Sequence, residues 1–140
     1  MLRVVLDTNI LISGLLHVGK PRRVINLALN SKIEIISSVK IIDEFQRVII
    51  RNKFKLSKFE QDEMINFVIR LSHIIFVKSK FRVVKSDPSD DIFINAAYDG
   101  NASYIVSGDK HLKDVKEFAG IKIVTAHQIL ELFDLEDENE

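Results

Sequence analysis

Short apolar runs alternate along the chain with longer segments in which apolar residues recur at helical spacing. The first run, Leu2–Leu6, is rich in branched residues and almost wholly apolar, which is typical of a strand buried on both faces of a parallel sheet. Similar runs predict four more strands, at 33–36, 74–77, 102–106 and 121–124. The pattern therefore predicts an α/β domain with a mainly parallel sheet of five strands.

Several helix boundaries carry signals of their own. Residues 57–60 and 125–128 both match a capping box, in which a hydroxyl residue is followed three positions later by Glu or Gln. The pair at 87–88, Asp followed by Pro, favours a helix start. Gly100 occupies the position expected for a glycine at a helix C-terminus, and a short helix is predicted over 110–118.

The composition is that of a globular domain. The 140 residues are 46% apolar and 29% charged, enough to bury one core. No apolar run approaches the ~18–20 residues of a membrane span, and the chain has no cysteine for a disulfide or a thiolate metal site. We expect a cytoplasmic protein that does not span a membrane.

The net charge of zero hides an asymmetry, because six of the last ten residues are acidic. We expect a single domain over 1–134, followed by an acidic, disordered tail over 135–140. The basic residues gather at 20–23, 47–58 and 78–85, so the body of the domain could attract a polyanion. Solvated helix faces are the simpler explanation of each cluster taken alone.

Acidic residues follow two of the predicted strands directly. Asp7 comes after the first strand and Asp109 after the fourth, so both would emerge at the same edge if these parallel strands are neighbours. Asp90 and Asp91 lie in the first turn of a helix, and Glu44 lies on another helix. Each acid alone could be a cap or a surface residue, but their joint placement favours a shared site.

Carboxylates gathered in this way raise one another's pKa unless a cation neutralises them. Mg²⁺ and Mn²⁺ accept such ligands together with waters and phosphate oxygens. These ions can orient and ionise a water for attack on phosphorus. The acids therefore point to hydrolysis of a phosphodiester, with the basic body holding the rest of the strand.

Three other α/β classes lack the residues they need. A phospho-acceptor receiver domain wants a lysine after the fifth strand, where this chain has Thr125. A haloacid-dehalogenase-like phosphatase needs an acid where this chain has Asn9. A dinucleotide-binding fold needs a glycine-rich turn after the first strand, and the sequence has none there.

Nearly the whole chain resembles PIN domains, through motifs in the same order and at ordinary spacing. The opening Asp7-Thr8-Asn9-Ile10-Leu11-Ile12-Ser13-Gly14-Leu15 resembles the signature of that family. The other matching stretches are Ile42-Asp43-Glu44-Phe45, Asp87-Pro88-Ser89-Asp90-Asp91 with the run 94–97, Tyr104 to Lys110, and Gly120 to Thr125. Each motif is modest alone, and together they are specific.

The resemblance implies a three-layer α/β/α fold whose five-stranded, mainly parallel sheet has the order 3-2-1-4-5. It implies a Mg²⁺- or Mn²⁺-dependent endoribonuclease, since many PIN domains are toxins of VapC-type toxin–antitoxin pairs that cut RNA. The expected partners are an RNA substrate, an antitoxin protein and a second copy of the chain.

The resemblance also implies the site residues, each with a catalytic and metal-binding role. Asp7, Glu44 and Asp109 match family acids, with Glu44 as a ligand or as the base that orients water. The third metal-binding aspartate is either Asp90, favoured by the Asp-Pro-x-Asp pattern, or Asp91, favoured by counting back from 94–97. Neighbours on a helix are ~100° apart, so only one should face the ion. Two further matches are expected to hydrogen-bond the acids or a metal-bound water, namely Asn9 and Ser107.

One position departs from the family pattern. Relatives of the Gly-Asp-Lys-Asp-Leu kind carry a second acid where this chain has His111. Asp114, one turn further on, is a possible substitute. The departure supports an alternative hypothesis, in which the chain is a catalytically inactive PIN-like module that binds RNA or a protein.

Overall fold

The computed structural model describes residues 1–138, except for the side chains of Asn52 and of 135–138. The strands are β1 Leu2–Leu6, β2 Ile33–Ser37, β3 Ser72–Ile74, β4 Tyr104–Val106, β5 Glu117–Phe118 and β6 Ile121–Val124. The helices are α1 Thr8–Leu16, α2 Lys20–Leu29, α3 Val39–Ile49, α4 Lys58–Leu71, α5 Asp91–Asp99, α6 Lys110–Val115 and α7 Ala126–Glu138. Two short 3₁₀ turns occupy Asn52–Phe54 and Pro88–Asp90.

The sheet has the order β3-β2-β1-β4-β6-β5. The first five strands of this order pair in parallel, which confirms the predicted order 3-2-1-4-5, with β6 as the predicted fifth strand. The sixth strand, β5, is an addition that pairs antiparallel with β6 at the edge.

Strand β5 lies inside the helix predicted over 110–118, so that prediction is wrong for its last three residues. Helix α6 ends at Val115, because Lys116 adopts a left-handed backbone with φ of 66°. The N–H group of Ile123 then donates to the carbonyl of Lys116 at 2.9 Å. This turn directs the chain back along β6.

The predicted strand over 74–77 also needs correction, since β3 covers Ser72–Ile74 instead. These three residues pair with the end of β2, and Ile75 adds one more bond, to the carbonyl of Ser37 at 3.0 Å. The chain then leaves the sheet. Ile75 and Val77 pack against the core beside α5, so their burial comes from helix contacts and not from strand pairing.

Alternate residues of the central strand face two separate cores. Val4 and Leu6 belong to a cluster that includes residues of α1, α2, α3, α4 and α7. Val5 lies on the other face, in a cluster that includes residues of α5 and α6. All three side chains are at most 1% exposed. The sheet is thus covered on both faces, and the predicted three-layer α/β/α fold is confirmed.

Both predicted capping boxes form, and each one opens a helix. The N–H group of Glu60 donates to Ser57 Oγ at 3.1 Å, and the N–H group of Ser57 donates to Glu60 Oε1 at 3.0 Å. Thr125 and Gln128 make the equivalent pair of bonds at 3.1 and 2.8 Å. Helices α4 and α7 therefore begin where the sequence predicts.

Helix α7 continues to Glu138, which is inside the segment predicted to be a disordered tail. Residues 139–140 lie outside the described residues, so the division at 134 stays a prediction. None of the helices within 1–138 combines the length and apolar character needed to cross a membrane.

Candidate active site

A polar pocket of about 190 Å³ lies where the parallel strands end. Because β1 and β4 are adjacent and parallel, the residues that follow them emerge at the same edge. Segments from α1, α3, α5 and the turns beside them complete the wall. The lining residues are Asp7, Thr8, Asn9, Glu44, Val48, Arg51, Lys53, Asp87, Ser89, Asp90, Phe93 and Asp109.

Asp7 is both a helix cap and a pocket acid. Its Oδ1 accepts the N–H of Ile10 at 2.9 Å, which caps α1, and its Oδ2 accepts the hydroxyl of Ser107. The side chain is only 4% exposed. Burial raises the pKa of Asp7 to about 6, against the hydrogen bonds that lower it, and the charges of Asp109 and Glu44 add to the rise. Asp7 therefore caps α1 and lines the pocket at the same time.

Ser107 connects two of the acids. It is fully buried, and while its hydroxyl donates to Asp7 it also accepts the N–H of Asp109 at 2.9 Å. The residue thus lies between the ends of β1 and β4, where the sequence predicted a hydrogen bond to pocket acids. Asn9, the other polar residue predicted there, is exposed and lines the pocket.

Glu44 enters the pocket from α3 and is half-buried. Its Oε2 accepts the hydroxyl of Thr8 at 2.6 Å. No role was predicted for Thr8, although it stands inside the Asp7-Thr8-Asn9 motif. Its side chain is buried, and the bond to Glu44 satisfies its hydroxyl group. The orientation of Glu44 is therefore fixed by the first residue of α1.

Asp90 is the pocket acid whose carboxylate is least stabilised by hydrogen bonds from the protein. It is 8% exposed, and its Oδ2 is buried with no hydrogen-bond partner. Burial raises the pKa of Asp90 to about 7, and the charges of Asp87, Asp109, Glu44 and Asp7 raise it further in that order. A buried carboxylate oxygen without a donor is rare and calls for an explanation.

Asp91 lies outside the pocket, so the structure separates the two neighbours that the sequence left as alternatives. Its Oδ1 accepts the N–H groups of Val83 and Val84 at 2.9 and 2.8 Å. It therefore holds the segment before α5, whereas Asp90 faces the other acids.

Asp109 caps α6 at the mouth of the pocket. Its Oδ1 accepts the N–H groups of His111 and Leu112 at 2.7 and 3.3 Å. The side chains of His111 and Asp114 are exposed and do not line the pocket.

Four polar pocket residues beyond Thr8 were missed as site residues. Arg51 and Lys53 belong to the basic cluster at 47–58. They follow directly after α3, the helix that carries Glu44, and this closeness along the chain is the one signal that could have placed them near the acids. Asp87 and Ser89 were identified only as part of a helix start. All four line the pocket, so the acids have two cations beside them.

The pocket suits a hard divalent cation with several waters. No group of three or more His, Asp or Glu side chains among the described residues is arranged to hold a metal ion. Mg²⁺, however, is usually held by one or two carboxylates and keeps several waters. Such an ion would bind the unpartnered Oδ2 of Asp90 and would reduce the mutual repulsion of the acids. The donor set therefore fits a divalent cation.

A family model described as a PIN domain matches residues 3–111. That range is well over half of the 140 residues and contains every acid of the pocket. The chain belongs to the PIN domain family. The resemblance found in the sequence motifs is thereby confirmed.

Two further comparisons agree with a PIN domain. The uncharacterized protein MJ1680 of Methanocaldococcus jannaschii is 28% identical over 120 residues, which cover 83% of this chain and 76% of that protein. The crystal structure of VapBC2 from Rickettsia felis, bound to a DNA fragment from the promoter, has a TM-score of 0.62 at 18% identity. The match covers 87% of this chain and 97% of that chain. At this identity the second similarity shows a shared fold.

Proposed function

We propose that this PIN domain is a metal-dependent endoribonuclease that hydrolyses phosphodiester bonds of RNA. The observation that supports the proposal is the convergence of five carboxylates, Asp7, Glu44, Asp87, Asp90 and Asp109, in one pocket. Two of them are buried with raised pKa values, and clustering of this kind is typical of functional sites.

The pocket residues divide into two roles. Of Asp7, Asp90 and Asp109, one or two would bind Mg²⁺ or Mn²⁺ directly and the others through its waters. Glu44, held by Thr8 at 2.6 Å, would orient the attacking water and accept its proton. When bound, the ion supplies positive charge that favours ionisation of that water and stabilises the leaving oxygen. The water oxygen forms one bond to phosphorus, and the bond to the leaving oxygen breaks.

Arg51 and Lys53 would bind the phosphate that enters the pocket. Both side chains are exposed and line the pocket wall. Basic side chains that neutralise phosphates supply most of the sequence-independent affinity for nucleic acid. The pocket therefore combines an anionic centre for the ion with a cationic wall for the substrate.

Metal-dependent cleavage of a structured RNA pool tests the proposal. We expect cutting with Mg²⁺ or Mn²⁺, none with EDTA, and a loss of at least about 10²-fold in Asp7→Asn, which keeps the size of the side chain but removes its charge. Asp43→Asn is the matched control, since Asp43 is an exposed neighbour of Glu44 outside the pocket. Equal cutting by wild type and Asp7→Asn would contradict the proposal.

We also propose that the protein is the toxin component of a toxin–antitoxin pair and forms a homodimer. Membership of the PIN family and the shared fold with the VapBC2 structure support this proposal. We expect induced expression of the wild type to arrest growth of a bacterial host and expression of Asp7→Asn to leave growth unaffected. Arrest by both proteins would contradict a toxin that acts through this pocket. Light scattering of the purified chain tests the dimer.

A catalytically inactive module that binds RNA or a protein is the second candidate. It is favoured by His111, which stands where similar PIN domains carry an acid, and by the lack of a three-ligand group among the described residues. The cleavage assay separates the candidates. If wild type and Asp7→Asn are equally inert while RNA still binds, the inactive module replaces the nuclease.

A further inference from the structure

The segment between β3 and α5 is held along α5 by a set of three polar side chains. Asp91, Asn95 and Asp99 are spaced by four residues, so they lie on one face of the helix, and we call them the α5 ladder. Each of them binds backbone groups of residues 78–84, a stretch that belongs to no helix or strand. The polar side chains of α5 thus replace the neighbouring strand that this backbone lacks.

The ladder contacts are regularly spaced along the segment. Asn95 both accepts from and donates to one residue, and the two aspartates each accept two successive N–H groups. The bonds are Lys78 N and Ser79 N to Asp99 at 2.6 and 2.8 Å, Phe81 N to Asn95 at 2.8 Å, Asn95 Nδ2 to Phe81 O at 3.3 Å, and Val83 N and Val84 N to Asp91 at 2.9 and 2.8 Å. The backbone is therefore fixed from one end to the other.

Side chains that point inward add to this hold. Ser79, Phe81 and Val83 are half-buried. The ring of Phe81 packs edge-on against Tyr98 and Phe118, with centroids 4.8 and 5.1 Å away. The segment is thus anchored on its inner side by alternate residues, as a strand on a sheet would be.

The alternate residues on the outer side are basic and exposed. Lys78, Lys80 and Arg82 occupy every second position, and Lys85 follows; we call these four residues the basic row. A free loop would not keep these charges on one side, but a backbone fixed by the α5 ladder does.

The basic row directly precedes, along the chain, the turn that lines the acid pocket. Lys85 is two residues before Asp87, which lines the pocket together with Ser89 and Asp90 of the following turn. Arg51 and Lys53 stand at the pocket itself. The row therefore ends, along the chain, at the turn that carries Asp87, Ser89 and Asp90 into the pocket.

We propose that the basic row binds successive phosphates of a single RNA strand whose next phosphodiester enters the acid pocket. The proposal rests on the proposed nuclease function and adds the path of the substrate. Lys and Arg side chains on a fixed backbone suit a flexible polyanion, because little ordering of the protein is needed on binding. The affinity that the basic row provides should not depend on the RNA sequence, because contacts to phosphate do not distinguish one base from another.

A binding assay without catalysis tests the basic row. The triple variant Lys78→Gln, Lys80→Gln, Arg82→Gln is made in the Asp7→Asn protein and titrated in EDTA with fluorescent uridine oligonucleotides of twelve and three nucleotides. Each single-strand phosphate contact contributes about 0.7 to the dependence of log affinity on log salt. We expect the slope for the longer RNA to fall by about 2 and its affinity to fall at least about tenfold at low salt. The short RNA should bind almost as before.

The matched control replaces three other exposed basic residues with Gln, namely Lys32, Arg70 and Lys122. These residues lie outside the pocket, toward the amino ends of parallel strands. The control protein should keep the wild-type affinity and slope. If both triple variants weaken binding equally, the effect is one of net charge and the proposal is overturned.

The assay separates failure of the basic row from failure of the nuclease. If no protein cleaves RNA but the row variant alone loses long-RNA binding, the row is supported and the nuclease is not. If cleavage is metal-dependent and the same triple variant, made with Asp7 intact, binds and cuts long RNA like wild type, the row proposal is overturned. It is also overturned if the variant keeps its RNA affinity and instead loses binding of polyglutamate, because the row would then recognise an acidic protein.

Discussion

Asp90 and Asp91 show how much a change of one position matters at the level of the residue. Asp90 faces the other acids with an unpartnered Oδ2, whereas Asp91 accepts two backbone N–H groups outside the pocket. The sequence predicted that only one of them would face an ion, since helical neighbours point ~100° apart. It could not predict which one, because the choice depends on the path of the segment before α5, and backbone donors leave no signature in the sequence.

The two neighbours should respond in opposite ways to truncation. Asp91→Ala leaves the N–H groups of Val83 and Val84 without an acceptor, so we expect the free energy of unfolding to fall by about 2–4 kcal/mol. Asp90→Ala removes a buried, repelled carboxylate, so stability should be unchanged or higher while metal-dependent cleavage is lost. Urea unfolding and the cleavage assay measure both effects. Loss of stability in Asp90→Ala, with none in Asp91→Ala, would reverse the two assignments.

At the scale of elements, the sequence predicted those that carry a local signal. Capping boxes place the starts of α4 and α7, and apolar runs place β1, β2 and β6. The errors fall where tertiary contacts decide. The apolar run over 74–77 leaves the sheet to pack beside α5, and the end of α6 is set by the left-handed backbone of Lys116. Neither the exit of this run from the sheet nor the end of α6 leaves a hydrophobic periodicity in the sequence from which it could be predicted.

Gly100 was predicted as a helix C-terminal glycine, and the structure gives a different reason for it. Its φ is −88°, and the left-handed residue is Asn101, with φ of 54°. A Cβ at Gly100 would lie 2.5 Å from Cγ2 of Ile36, which belongs to the central sheet and is fully buried. Glycine is therefore required by the close approach of α5 to β2.

We accordingly expect Gly100→Ala to lower the free energy of unfolding by about 1–3 kcal/mol through overpacking. Gly108→Ala is the control, because no atom lies within 4 Å of a Cβ built there, and it should change stability by less than about 0.5 kcal/mol. Thermal or urea unfolding of both variants gives the comparison. Equal stability of Gly100→Ala and wild type would mean that Ile36 repacks without cost.

At the scale of the whole molecule, the two buried acids of the pocket, Asp7 and Asp90, oppose folding in the absence of metal. Burial raises the pKa of Asp90 above its unfolded value, to about 7, so the folded state binds more protons than the unfolded state from about pH 4 to 7. The contribution of Asp90 to stability is therefore greatest at low pH and is lost as pH rises through that window. In EDTA, Asp90→Asn should gain about 1–2 kcal/mol relative to wild type between pH 4 and 8, a figure reduced for the open pocket. A constant difference across the window would contradict this linkage.

Because the acids repel one another, binding of a metal ion should stabilise the folded state strongly. This stabilisation can be measured without knowing the RNA substrate. A ligand that binds only the folded state at about 100 times its Kd stabilises that state by about 2.7 kcal/mol, or roughly 5–10 °C for a chain of this size. We expect Mg²⁺ or Mn²⁺ to raise the Tm of wild type and of Asp43→Asn by this amount at pH 8. The rise in Tm should disappear in Asp7→Asn, because Asn lacks the negative charge that attracts the cation to the pocket. A rise of equal size in Asp7→Asn would place the cation away from this pocket, and the convergence of the five acids would then need an explanation other than metal binding.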